Sequence, residues 1–143
     1  MTLRKLIDEI GDMAIAQKCI NFSAGGTSLA QMNPISVDHY PFLFQSPTGN
    51  HTVKENTTVF ELTLYYVDRI IPDYSNDIDI FSAGIEQLKN IVNGIKLIDG
   101  VCDVHTNFII RNFCDTEKMN DSLAGAYVTV QIEVVNDTLC FIE

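Results

Sequence analysis

Apolar residues recur along this chain first at helical spacing and then at strand spacing. Leu3, Leu6, Ile7, Ile10, Met13 and Ala14 share one side of a helical wheel, and Arg4, Lys5, Asp8, Glu9 and Asp12 fall elsewhere on it. This predicts a surface helix over residues 3–17 with one apolar stripe and Thr2 as its N-cap. A second helix is predicted where Ile78, Phe81, Ile85, Leu88, Val92 and Ile95 recur at steps of 3, 4, 3, 4 and 3. Ser75 or Asn76 caps it, Asp77 and Asp79 occupy the first turn where the helix dipole favours negative charge, and Asp99-Gly100 ends it. The stripe is shorter than three heptads, which fits a helix facing a core better than a coiled-coil seam.

Elsewhere the period is two. Thr57 to Asp68 puts Phe60, Leu62, Leu64 and Tyr66 on one face and Val59, Glu61, Thr63, Tyr65 and Val67 on a more mixed one. Gly125 to Val135 alternates in the same way. His39 to Phe44 reads as a strand, and Pro41 near its start suggests a sheet edge. Ser46 to Asn50 is a turn signal, and residues 51–56 read as the polar tip of a long hairpin. Cys19 to Phe22 is a short strand candidate. Ser23 to Ser28 reads as a flexible loop, so residues 23–37 form a long connection or arm. One or two strands fall around Val104 to Phe113, a polar loop at Asp115 to Ser122, and a last short strand at Thr138 to Ile142. The predicted fold is a single α+β domain over residues 1–143. It has two layers, an antiparallel-dominated sheet packed on two helices, with long protruding loop and hairpin arms.

Composition agrees with a folded domain: 46% hydrophobic and 20% charged residues suffice for a core without staples. Nine Lys+Arg against 19 Asp+Glu give a net charge of -10, and the basic residues form no run. Such a surface has no dedicated grip on phosphate backbones. Met1 to Ile10 is amphipathic and charged, unlike a signal peptide, so Cys19, Cys102, Cys114 and Cys140 are expected as free thiols.

Each candidate for chemistry meets a simpler reading. Cys102, His105 and Cys114 are three of the four ligands a closed zinc site needs, but buried cysteines in strands commonly act as small hydrophobes. Asp73, Asp77 and Asp79 lack the glycine and distant glutamate of a calcium loop, and helix capping accounts for them. His39 follows Asp38, yet no nucleophile elbow or phosphate-cradling loop accompanies it. Asp115, Glu117 and Asp121 have no apolar run beside them to raise a pKa. No catalytic residue, metal or cofactor is expected, and weight shifts to an interaction protein.

Several ordered segments carry a resemblance: the opening helix TLRKLIDEIGDMA, the hairpin DHYPFLFQSPTGNHTVKENTTVFELTLYYVDR, the helix NDIDIFSAGIEQLKNIVNGI, the strand GAYVTVQIEVV and the ending LCFIE. Together they resemble the tail-completion proteins (tail terminators or neck-ring proteins) of tailed bacteriophages, notably crAss-like and other phages of Bacteroidota. The resemblance implies a non-enzymatic virion protein, present in the host cytoplasm during assembly. It implies an oligomeric ring between head connector and tail, joined to portal-associated or other neck and tail proteins, with DNA passing through the lumen. An acidic lumen repels DNA and so avoids holding it. No membrane partner and no sequence-specific nucleic-acid binding are implied.

Three segments are the expected subunit contacts. Gly25, Gly26 and Met32 lie in the first arm, Pro47, Thr48, His51 and Val53 at the hairpin, and Leu139, Phe141 and Ile142 in the terminal strand, which is suited to strand addition at a neighbour's edge. The alternatives are a small cytosolic ligand-binding or regulatory module, and a small hydrolase using His39 or the Cys102, His105 and Cys114 group.

Overall fold

Two long strands that pair along their whole length form the spine of the molecule. In a computed structural model, which describes residues 1–27, 39–70, 76–115 and 123–136, the elements are α1 (Leu3–Ala16), β1 (Phe22–Gly25), β2 (Phe42–Ser46), β3 (Thr52–Val53), β4 (Thr57–Arg69), α2 (Asp77–Ile95), β5 (Val101–His105), β6 (Arg111–Asp115) and β7 (Leu123–Val135). β4 and β7 are antiparallel from Thr57↔Val135 to Arg69↔Leu123. The sheet runs β1-β2-β4-β7-β5, with β3 also on β4 and β6 also on β7. Among the described residues only β1 and β2 pair in parallel. The fold is thus α+β, a mostly antiparallel sheet packed on two helices.

Both long strands carry an interrupted partner on their outer side. β2 and β3 follow one another along β4, and five residues, 47–51, stand opposite three, 60–62. β5 and β6 follow one another along β7, and five residues, 106–110, stand opposite three, 128–130. Extra residues against a continuous strand break the ladder locally, as a bulge does. Side chains repair both gaps. His51 Nδ1 accepts from the Glu61 N–H at 3.2 Å, and the Thr106 hydroxyl donates to the Thr129 carbonyl at 3.0 Å.

The helices lie on one face, over the main core. From the sheet this core takes Leu43, Leu62, Leu64, Tyr66, Val128, Val130, Ile132 and Val134, and from the helices Leu6, Ile10, Leu88, Ile91 and Ile95. A second cluster, Phe42, Phe44, Val67 and Leu123, occupies one end of the opposite face, with Tyr65 and Phe113 against it. The other end of that face is polar. There Gln131 donates to Glu61 at 3.1 Å, Thr57 donates to Glu133 at 2.7 Å, and Thr63 and Thr129 hydroxyls meet at 3.2 Å.

Thr2 caps α1 as expected, its hydroxyl accepting from the Lys5 N–H at 3.1 Å. Thr2→Ala is expected to cost about 1 kcal/mol, read as a lower midpoint in urea unfolding. At α2 the expected stripe is corrected. Ile78 is 72% exposed and Ile85 is exposed too, while Ile80, Gly84, Leu88, Ile91, Val92 and Ile95 are buried. Asn76 caps without a side-chain bond to the helix; its amide donates to the Arg69 carbonyl instead.

Two further expectations change. Ser23–Gly25 belongs to a strand and not to a flexible loop, and the Gly26 N–H donates to the Gln45 carbonyl at 3.1 Å. The strand after Pro41 is not an edge, because β1 covers one side and β4 the other, and every residue of β2 is buried. Residues 54–56 make a tight turn closed by the Lys54 N–H on the Thr57 carbonyl at 2.8 Å. Met32, Asp73, Glu117, Asp121 and residues 138–142 lie outside the described residues. No helix among the described residues is long and apolar enough to cross a membrane.

Candidate functional site

The surfaces that stand out are the two lateral margins of the sheet. At one margin are β1 and β3; at the other are β5 and β6. Among the described residues neither margin has a further strand beyond it. An uncovered strand margin presents unpaired N–H and C=O groups, ready to pair with another chain. Exposed apolar side chains accompany both: Val53 at 77% on β3, and Phe108 at 41% and Ile109 at 58% in the β5–β6 interruption. Phe108 holds φ at 52°, a left-handed conformation that bulky residues rarely adopt.

Six of the sequence-predicted contact residues gather along the β1–β3 margin. Gly25, Gly26 and Pro47 line one groove with α1. Thr48 follows Pro47, its hydroxyl 3.4 Å from that of Ser46. His51 and Val53 flank the start of β3, where the His51 ring meets Phe60 edge-on at 5.5 Å. Leu139, Phe141, Ile142 and Met32 lie outside the described residues.

The geometry separates the possible metal ligands. His105 faces Gln131 and Cys114 faces Ala124, seven residues along β7 or ~23 Å at strand rise, against the ~2.3 Å of a zinc–sulfur bond. His105 instead pairs with Asp103 at 3.2 Å. Asp77 accepts from the Ile78 N–H at 2.7 Å, in keeping with a role at the helix start. Among the described residues no group of three or more His, Cys, Asp or Glu side chains is placed to hold a metal ion. His39 stacks on Phe22 with ring centroids 4.3 Å apart, and its buried Nδ1 has no hydrogen-bond partner among the described residues.

Titration is perturbed mainly on the helix side of the sheet. Burial, the Asp68 carboxylate and Cys19 push the Tyr66 hydroxyl up to about 12. Burial also raises Asp68, although the Arg69 N–H donated to its carboxylate at 2.8 Å pulls the other way. A carboxyl raised on folding contributes stability that is complete below its unfolded pKa and is lost as pH rises through its folded pKa. Ionised Asp68 therefore costs stability at neutral pH. Asp68→Asn, which keeps an acceptor for Arg69, is expected to raise the melting temperature at pH 7. Its advantage shrinks as pH falls through the folded Asp68 pKa toward the ordinary carboxylate value of 3.8, a trend that melts across that range would read.

Sequence reasoning assigned Ile7 to the apolar stripe of α1, where it walls the groove beside β1, and did not single out Ile15 of the same wall, or Phe108 and Ile109. The apolar Phe108-Ile109-Ile110 run after polar Thr106-Asn107 was the available signal for the second pair.

No protein-family model matches the chain, and no curated protein matches it.

Proposed function

We propose that this chain is a structural subunit of a tailed bacteriophage, assembling into a ring of the head–tail connector or tail through which DNA passes. One structural observation supports the reading most: the two sheet margins, neither of which carries a further strand among the described residues, differ from one another and lie on opposite sides of one sheet. A ring needs such a pair, because its contacts are heterologous and head-to-tail. The order of helix, hairpin, long helix and closing strands adds the resemblance drawn from the sequence. The net charge of -10 suits a channel wall that lets DNA slide past. On the polar half of the outer face, carboxylates are engaged by neighbours: Gln131 bonds Glu61, and Thr57 bonds Glu133 with Lys54 3.7 Å away.

Light scattering on the purified chain across a concentration series tests this. The expected mass is a fixed multiple of the 16.0 kDa subunit, reached alone or on adding a portal or tail-tube protein. A subunit mass throughout, with no binding to either protein, would contradict the proposal.

A ligand-binding module is the second reading, favoured by one feature. A hollow of about 380 Å³ on the outer face brings Arg111 and His105 beside Tyr127, Thr129, Gln131 and Glu61. It predicts thermal stabilisation by a small anionic ligand, abolished in Arg111→Ala.

A further inference from the structure

We propose that the hollow over the β5–β6 interruption binds a dipeptide-sized zwitterion, its carboxylate on Arg111 and its ammonium group on Glu61. The interruption makes the hollow. Residues 106–110 leave the ladder opposite 128–130, so β7 has no paired neighbour on that side between Tyr127 and Gln131. Tyr127, Thr129 and Gln131 stand two apart on β7, share its outer face and line a space of about 380 Å³. That volume suits a small ligand. Thr129 turns its C=O and N–H toward the gap, as alternate residues of an antiparallel strand do. The Thr106 hydroxyl donates to the carbonyl at 3.0 Å, and the N–H has no ladder partner on β5 or β6. It is a donor for a ligand's peptide carbonyl.

The charges in the hollow choose the ligand. Among the described residues the Arg111 guanidinium makes no ion pair or hydrogen bond, in a chain with 19 Asp+Glu. His105 is engaged by Asp103 at 3.2 Å. At the other end Glu61 accepts from Gln131 at 3.1 Å and meets no cation among the described residues. Arg111 is level with Tyr127 and Glu61 with Gln131, on opposite sides of β7. Their backbones are thus roughly 13 Å apart along the strands and ~10 Å across them. The two side chains do not close that span to an ion pair. A cation and an anion that line one hollow without meeting are complementary to a ligand carrying both charges apart. A free α-amino acid holds both on one carbon, whereas a dipeptide spans ~7 Å. The Arg111 fork matches a carboxylate bidentately. Tyr127, its ring stacked on Tyr65 with centroids 5.4 Å apart, and the exposed Ile109 wall the hollow, so an aromatic side chain fits beside that carboxylate. This specificity rests on the ligand-binding reading and is independent of the ring.

Isothermal titration calorimetry on the full chain tests it, with glycylphenylalanine, its N-acetyl derivative, its C-terminal amide and benzoate as probes. The free dipeptide is expected to bind one per chain. N-acetylation and Glu61→Gln are each expected to weaken it about tenfold, as are amidation and Arg111→Ala. In Glu61→Gln the free and N-acetylated dipeptides are expected to bind alike, a loss of discrimination that a merely distorted hollow would not produce. Arg111-dependent binding of benzoate or the N-acetyl derivative as tight as that of the free dipeptide would overturn the two-ended site and leave a site for simple anions standing. Binding undisturbed by both substitutions, or no binding of any of the four probes, would overturn the two-ended site and the ligand-binding reading together.

Discussion

Gly125→Ala is expected to prevent the chain from folding. Gly125 sits in β7 between Val67 of β4 and Phe113 of β6. A Cβ there would lie 1.7 Å from the Tyr66 carbonyl oxygen and 3.2 Å from the Phe113 ring. The carbonyl belongs to the backbone of the central strand, so it has no rotamer by which to yield. Either β4 and β7 part, or the substituted chain does not reach this fold. The expected loss exceeds ~4 kcal/mol, a large share of the ~5–15 kcal/mol that holds a typical domain together. Soluble yield and a circular dichroism melt read the outcome. A cooperative transition near that of the wild type would show that the two strands are not packed as described.

Phe44→Ala tests the side of the sheet away from the helices. Phe44 is 1% exposed and packs with Phe42, Val67 and Leu123, its ring centroid 6.2 Å from that of Tyr65. Deleting a buried phenyl ring costs ~3–5 kcal/mol through lost transfer energy and the cavity left behind. Guanidinium unfolding is expected to show a loss of that size. A change below ~0.5 kcal/mol, typical of surface positions, would mean that this face is open.

Sequence periodicity revealed α1, β4 and β7 because each pattern runs long enough to be distinctive. It also grouped Phe60, Leu62, Leu64 and Tyr66 on one face, which in the structure is the face that carries the helices. At α2 the same method chose the wrong line of residues in the first half. Glycine carries no weight in a hydrophobic pattern, yet at Gly84 the helix packs closely on the sheet: a Cβ there would be 3.0 Å from that of Ala126. That contact turns Ile80 inward and leaves Ile78 outside.

The short strand expected at Cys19 to Phe22 lies instead at Phe22–Gly25; Ser-Ala-Gly has no strand signature of its own. Its partner β2 starts seventeen residues beyond its end (42 − 25), and parallel pairing across such a connection leaves no local mark. The edge reading of β2 failed for the same reason, since β1 was its missing cover. The two five-against-three interruptions are properties of register, which is fixed by tertiary pairing. The groove beside β1 joins residues from α1, β1 and the end of β2, so no contiguous motif announces it. Gly25, Gly26 and Pro47, expected on an arm and a hairpin, line this groove beside a strand and do not project on an arm.

The most direct test of the ring is to image the purified chain by negative-stain microscopy, alone and with a portal or tail-tube protein, and to average the particles. The account predicts closed, rotationally symmetric rings with an open centre. A uniform field of single subunits under every one of these conditions, bound to neither protein, would contradict it.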